Sequence, residues 1–169
     1  MSTAAHTPEP WLRGTLGDLP AVPRAVVHAL ELAKEDLWKW CHSLSDEQLR
    51  SRPNQLASVA FQLRHIARSL DRLLTYAEGT QLTEAQLHAL ESEVHAVSTH
   101  HEIFAELENA LTRGMERVKA LASSTLDAPR VVGKKQLPST LGGLLVHVAE
   151  HTQRHVGQAI TTAKLVSPP

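Results

Sequence analysis

Three histidines stand four residues apart near the end of the chain, His147, His151 and His155, in the stretch HVAEHTQRHVGQ. A neutral imidazole is the commonest side-chain ligand for a transition metal. On a helix, residues four apart lie about 40° apart around the axis and about 6 Å along it, so two imidazoles at that spacing can converge on one ion. His147 and His155 are about 12 Å apart along the axis and cannot share it. His151 therefore belongs to any pair, and the apolar face decides its partner. Leu141, Leu144, Leu145, Val148, Thr152, Val156, Ala159 and Ala163 mark the buried side. At about 100° per residue His155 lies roughly 60° from the centre of that side, His151 roughly 100° and His147 roughly 140°. The pair His151 and His155 faces the margin of a helical core, while His147 leans toward water.

Two histidines fall one short of the three protein ligands usual in a catalytic zinc centre, so a third must come from elsewhere in the fold. His65, in SVAFQLRHIARSLDRLL, lies off the main apolar stripe of its segment. With Ser58, Phe61, Ser69 and Tyr76 it forms a second, mixed stripe whose two aromatics suggest part burial. Arg72 falls on the same stripe, and the periodicity leaves His65 open as either a ligand or a solvated residue. HVAEH, His147 to His151, also satisfies the H-x-x-E-H pattern of inverted zinc peptidases. Such a site needs a further acidic ligand downstream, and no carboxylate occurs from Thr152 to Pro169. Glu150 reads instead as an i,i+4 partner of Arg154. A haem held by His65 and a late histidine is a further arrangement known to bundles, but the four-residue pair points to a single non-haem ion. His6, His28, His42, His88, His95, His100 and His101 read as structural or solvated residues, with His101 partly buried and the others mostly wet.

The elements that must carry these residues are helical. Val26, Leu30, Ala33, Leu37 and Trp40 make one amphipathic stripe, over Arg24 to about His42. Val59, Leu63, Ile66, Leu70, Leu73 and Ala77 make a second, from about Gln55 to Glu78. Thr83 with Gln86 is a capping-box signal that opens a shorter helix. Phe104, Leu107, Leu111, Val118 and Leu121 carry a third stripe, to about Ser123, with Gly114 as a weak point. Val131 and Val132 suggest one extended pairing, and Pro138 is expected to open a last helix that runs to about Leu165. The expected architecture is all-α: a four-helix bundle with an extra short helix between its second and third members, one domain over residues 1–169, with 1–12 and 166–169 as frayed tails.

Composition narrows the partners. A chain of 169 residues with 42% hydrophobic content can build one core. Lys plus Arg (17) nearly cancel Asp plus Glu (18), and no basic run is interleaved with aromatics, which argues against nucleic acid. No segment has the roughly 18 apolar residues of a membrane span, and the start lacks a signal-peptide pattern. A soluble, cytoplasmic protein acting on a small molecule is expected, with exposed Trp11 and Leu12 offering cover for a homodimer partner. The lone Cys41 reads as a buried small hydrophobe.

VAFQLRHIARSLDRLLTYAEG, followed far downstream by LGGLLVHVAEHTQRHVGQA, resembles the DinB-like (DinB/YfiT) superfamily of four-helix metal-binding proteins, which is unrelated to the DNA polymerase sharing the name. The resemblance extends from Trp11 over essentially the whole chain. It implies His65, His151 and His155 as ligands of one divalent ion, with Gly157 and Gln158 as the step after the pair. Zinc or nickel suits imidazole, and iron or manganese is compatible with it. Relatives include metal-dependent transferases that use low-molecular-weight thiols such as bacillithiol, and mycothiol-dependent maleylpyruvate isomerases, so a thiol cosubstrate is implied as well. Arg68, Arg72 and Tyr76 are the candidate substrate-binding residues, the two arginines for a carboxylate, against the alternative that they form a solvated charge face. A non-catalytic binding module of the same fold is the competing functional class.

Overall fold

The computed structural model describes residues 7–91, 93 and 98–167. Four long helices dominate: α1 (Ala21–Cys41), α3 (Val59–Ala77), α5 (His100–Ala120) and α6 (Leu141–Val166). Two shorter ones lie between them, α2 (Asp46–Arg50) and α4 (Glu84–Glu91). The long helices pack in the cycle α3, α6, α1, α5 and back to α3, which makes α3 a neighbour of both α5 and α6. Their apolar stripes meet in a core that includes Leu30, Leu37, Leu63, Ile66, Leu70, Leu107, Leu111 and Leu145. All eight residues expected on the buried side of the last helix are buried. The chain thus has the all-α bundle architecture with a short helix, α4, between the second and third long ones.

Local chemistry sets the boundaries. Ser58 caps α3 by accepting from the Phe61 amide at 3.2 Å. Thr99 and Glu102 form a reciprocal capping box on α5, and Ser45 and Gln48 do so on α2. The box expected from Thr83 and Gln86 is also made, with the Thr83 amide donating to Gln86 Oε1 at 2.9 Å and the Gln86 amide to Thr83 Oγ1 at 3.2 Å. Gly114 is required by packing: a Cβ there would stand 2.7 Å from Leu70 Cδ2, so α5 approaches α3 closely only because that position is bare.

Some expectations need correction. Pro138 does not open the last helix. It lies in strand β2 (Leu137–Thr140), opposite Val131 of β1 (Pro129–Val132) in an antiparallel hairpin, and the cap of α6 is Thr140, whose hydroxyl accepts from the Gly143 amide. The pairing expected at Val131 and Val132 is present; the missing amide of Pro138 is tolerated because a two-stranded ribbon has only edges. Trp40 is 36% exposed, its ring under the Lys164 ammonium at 4.3 Å, while Cys41 takes the buried end of the stripe. Burial pushes the Cys41 thiol up to about 12, so it is inert. His28 is buried and bonded to Thr15 Oγ1 at 3.2 Å, whereas His101 is exposed, the reverse of expectation. His6 and His95 lie outside the described residues, as do the outermost parts of both expected tails. Within the first dozen residues Pro10–Leu12 forms a 3-10 turn with Pro10 buried, and α6 runs on to Val166. Trp11 and Leu12 are exposed. Among the described residues no helix is long and apolar enough to cross a membrane.

Candidate metal centre

The seam between α3 and α6 brings His65 against His151 and His155. One ring nitrogen from each can be chosen so that all three lie within 4.8 Å of one another. His65 Nε2 and His151 Nε2 are 3.1 Å apart, and the ring centroids of His65 and His155 are 4.3 Å apart. Two nitrogens each about 2.05 Å from a tetrahedral ion stand about 3.3 Å apart, so the spacing fits a shared ion. His147 is outside the cluster: half-exposed, it leans on Glu150 at 3.3 Å, and Glu150 also accepts from Arg154 at 2.7 Å, the expected helix pair.

The rings are oriented from behind. His65 Nδ1 lies 3.0 Å from Glu93 Oε2, and since a carboxylate only accepts, the proton is on Nδ1 and the Nε2 lone pair faces the cluster. His155 Nδ1 lies 2.7 Å from Gln62 Oε1, which imposes the same tautomer when that oxygen accepts. Phe61 stacks on His65 with ring centroids 5.6 Å apart and planes 12° from parallel. With its Nε2 unprotonated, His65 can bond to His151 only if His151 carries a proton on the facing Nε2; a cation would satisfy both lone pairs together.

Electrostatics favour the neutral forms of His151 and His155. Burial, with His155, His65 and His147 close by, pushes the His151 imidazole down to about 4. His155 is lowered by burial, and by His65 and Arg154. Burial raises the Glu93 carboxyl, but the hydrogen bond from His65 and the charge of Arg72 outweigh it, and the group lies below the usual range. Neutral imidazoles beside an ionised carboxylate are the protonation states a cation needs.

A family model of the DinB superfamily matches residues 29–159. That stretch contains α3 and α6 as far as Ala159, and with them all three histidines of the cluster. The chain belongs to the DinB superfamily. A comparison with curated proteins returned no match. In this DinB-superfamily chain the three histidines form a group that could hold a metal ion, and their buried apolar supports lie within the matched region.

The other sequence candidates are dispersed. Arg72 reaches Glu93 Oε1 at 3.4 Å and so touches the cluster through the carboxylate that orients His65. Arg68 bonds to Glu106 Oε1 and to the Ala89 carbonyl. Both arginines are thus partly buried in ion pairs, not spread on a solvated face. Tyr76 is buried in the core, eleven residues and therefore about 16 Å along the axis of α3 from His65. Sequence reasoning missed Glu93 and Gln62. Gln62 carried a usable signal, three residues before His65 on the same helix. Glu93 carried none, because it follows α4 in a stretch without helical periodicity.

Proposed function

We propose that His65, His151 and His155 hold one divalent ion, zinc or nickel with iron or manganese as alternatives, in a metal-dependent transferase that joins a low-molecular-weight thiol, or water, to a small electrophile. The observation that carries this reading is that Glu93 Oε2 and Gln62 Oε1 stand against the Nδ1 atoms of His65 and His155, which leaves the Nε2 side of each ring for a cation beside His151. Three neutral ligands would leave a bound divalent ion its full charge, which lowers the pKa of a thiol or water in an open position toward neutrality. The chain's own contribution is orientation and access. Glu93 fixes His65, Gln62 fixes His155, and burial keeps His151 unprotonated, while the 18% exposure of the His65 side chain leaves one flank open to a small molecule. With an epoxide as acceptor, the thiol sulfur forms a bond to carbon, the carbon–oxygen bond breaks, and the thiol proton ends on the oxygen.

Cobalt-substituted protein tests this. Titrated with bacillithiol, mycothiol, glutathione and coenzyme A, it should develop a sulfur-to-metal charge-transfer absorption with at least one thiol near neutral pH. The same thiol should speed consumption of an epoxide, a gain that His151→Ala should lose. Metal uptake with neither absorption nor turnover would reduce the chain to a metal-binding module of the same fold.

A further inference from the structure

A second concave site lies on the opposite flank of α3, beneath α4 and against α5. The cavity measures about 560 Å³, within the size range of small-molecule sites. Its floor is apolar and includes Leu70, Leu74, Ala110 and Gly114, and its rim carries Arg68, Arg72, Arg113 and Arg117. Facing these four guanidinium groups in the lining are two carboxylates, Asp71 and Glu106.

The arginines are not equally engaged. Arg117 is saturated, with Asp71 at 2.7 Å and both oxygens of Glu78 at 2.6 and 2.9 Å. Arg68 is held by Glu106 at 2.8 Å. Arg72 has only the long 3.4 Å contact to Glu93, and Arg113 forms no ion pair or hydrogen bond among the described residues. The roof is equally telling. No residue of α4 is buried, and Gln86 ties the helix down through Asp71 Oδ2 at 2.6 Å and Thr75 Oγ1 at 2.8 Å. Polar tethers thus hold α4 over the gap without filling it.

We propose that this cavity binds a small organic acid, its carboxylate taken by Arg113 with Arg72 beside it and its apolar body lying on Leu70, Ala110 and Gly114. A guanidinium presents paired donors that match the two oxygens of a carboxylate, which an ammonium does not. The apolar floor selects an acid with a hydrocarbon body over a bare inorganic anion. None of the three clustered histidines lines the cavity, so the site is distinct from the candidate metal centre and stands whether or not that centre is catalytic.

Isothermal titration of the full chain with 2-naphthoate, and with the neutral analogue 2-naphthalenemethanol, tests the assignment. One naphthoate per chain should bind, and the alcohol should bind about tenfold more weakly or worse, the loss of a charge-assisted pair. Arg113→Gln, a change on an exposed helix surface, should weaken naphthoate by about the same factor and leave the alcohol unchanged. Ala110→Phe should abolish both by filling the floor, with circular dichroism reporting that the helices persist. His151→Ala should bind naphthoate as the unaltered chain does. No saturable binding, binding indifferent to Arg113→Gln, or binding lost in His151→Ala would each overturn the proposal, the last by placing the acid at the histidines.

Discussion

The two flanks of α3 carry different chemistry on different foundations. Toward α6, neutral imidazoles are set by two long, capped helices whose apolar faces are buried over many turns, so the position of His65 against His151 follows from the core. Toward α4, guanidinium groups surround a gap whose roof has no buried residue and is fastened by hydrogen bonds. Apolar burial contributes roughly 25 cal/mol for each Å² removed from water, whereas a hydrogen bond contributes a net of only about 1 kcal/mol. The seam should therefore behave as a rigid template and the shelf under α4 as an adjustable one. Glu93 belongs to both, accepting from His65 on one side and Arg72 on the other.

Breaking the seam should give the largest effects. His151→Ala, His155→Ala and His65→Ala should each weaken metal affinity by about a hundredfold or more, because two ligands cannot replace three. His147→Ala, outside the cluster, should leave most of it intact. Equal losses in all four variants, measured by competition against a chelator of known affinity, would remove the distinction between His147 and the others. Helical circular dichroism should survive in every case, and likewise on chelation of the native protein. The core is apolar and independent of the ion, so metal removal should lower the melting temperature without unfolding the chain.

The residue shared by the two flanks comes next. Glu93→Gln keeps an acceptor for His65 Nδ1 but removes the charge, and metal affinity should fall by about tenfold, the lower end for an orienting partner. No change would mean that Phe61 and packing alone orient the ring. A smaller effect is expected where the shelf meets the core. Gly114→Ala drives a methyl group toward Leu70, and overpacking should cost about 1–3 kcal/mol, offset by about 1 kcal/mol of helix propensity. Denaturant unfolding should show the net loss, with metal affinity unaltered.

The seam also answers to acidity, through His151. His151 ordinarily ionises near 6.5 and in the folded chain is pushed down to about 4. Between those values the unfolded chain binds more protons than the folded one. Stability of the metal-free protein should therefore be complete above pH 6.5, decline as pH falls toward 4, and level off below. His151→Ala should flatten that decline, as pH-dependent denaturant titrations would reveal. A decline of the same slope in the variant would assign it to other groups.

What could be read from residue order follows the same division. The phase of His151 and His155 against Leu144, Leu145, Val148 and Val156 is set by helical geometry, and the buried side of α6 agrees with it. His65 needed more than its own helix, since its stripe fits water as well as a neighbour, and the resemblance to a family supplied the rest. Pro138 was misassigned because proline suits both the first turn of a helix and a ribbon edge, and pairing with Val131 decides for the second. His28 lies on α1, yet Thr15, thirteen residues earlier, supplies the partner that buries it, a contact no periodicity reports. Glu93 is the strongest instance. A carboxylate after a short surface helix looks solvated until the chain folds it against His65 and Arg72.

The central claim is that the three histidines hold one ion, and elemental analysis tests it most directly. Protein purified without an affinity-tag metal, together with its His65→Ala variant, should be dialysed against a trace of zinc and nickel and analysed by mass spectrometry. About one divalent ion per chain in the native protein and nearly none in the variant is the predicted result, given a complete three-imidazole set only in the former. Equal occupancy in both, or no ion in either, would contradict it.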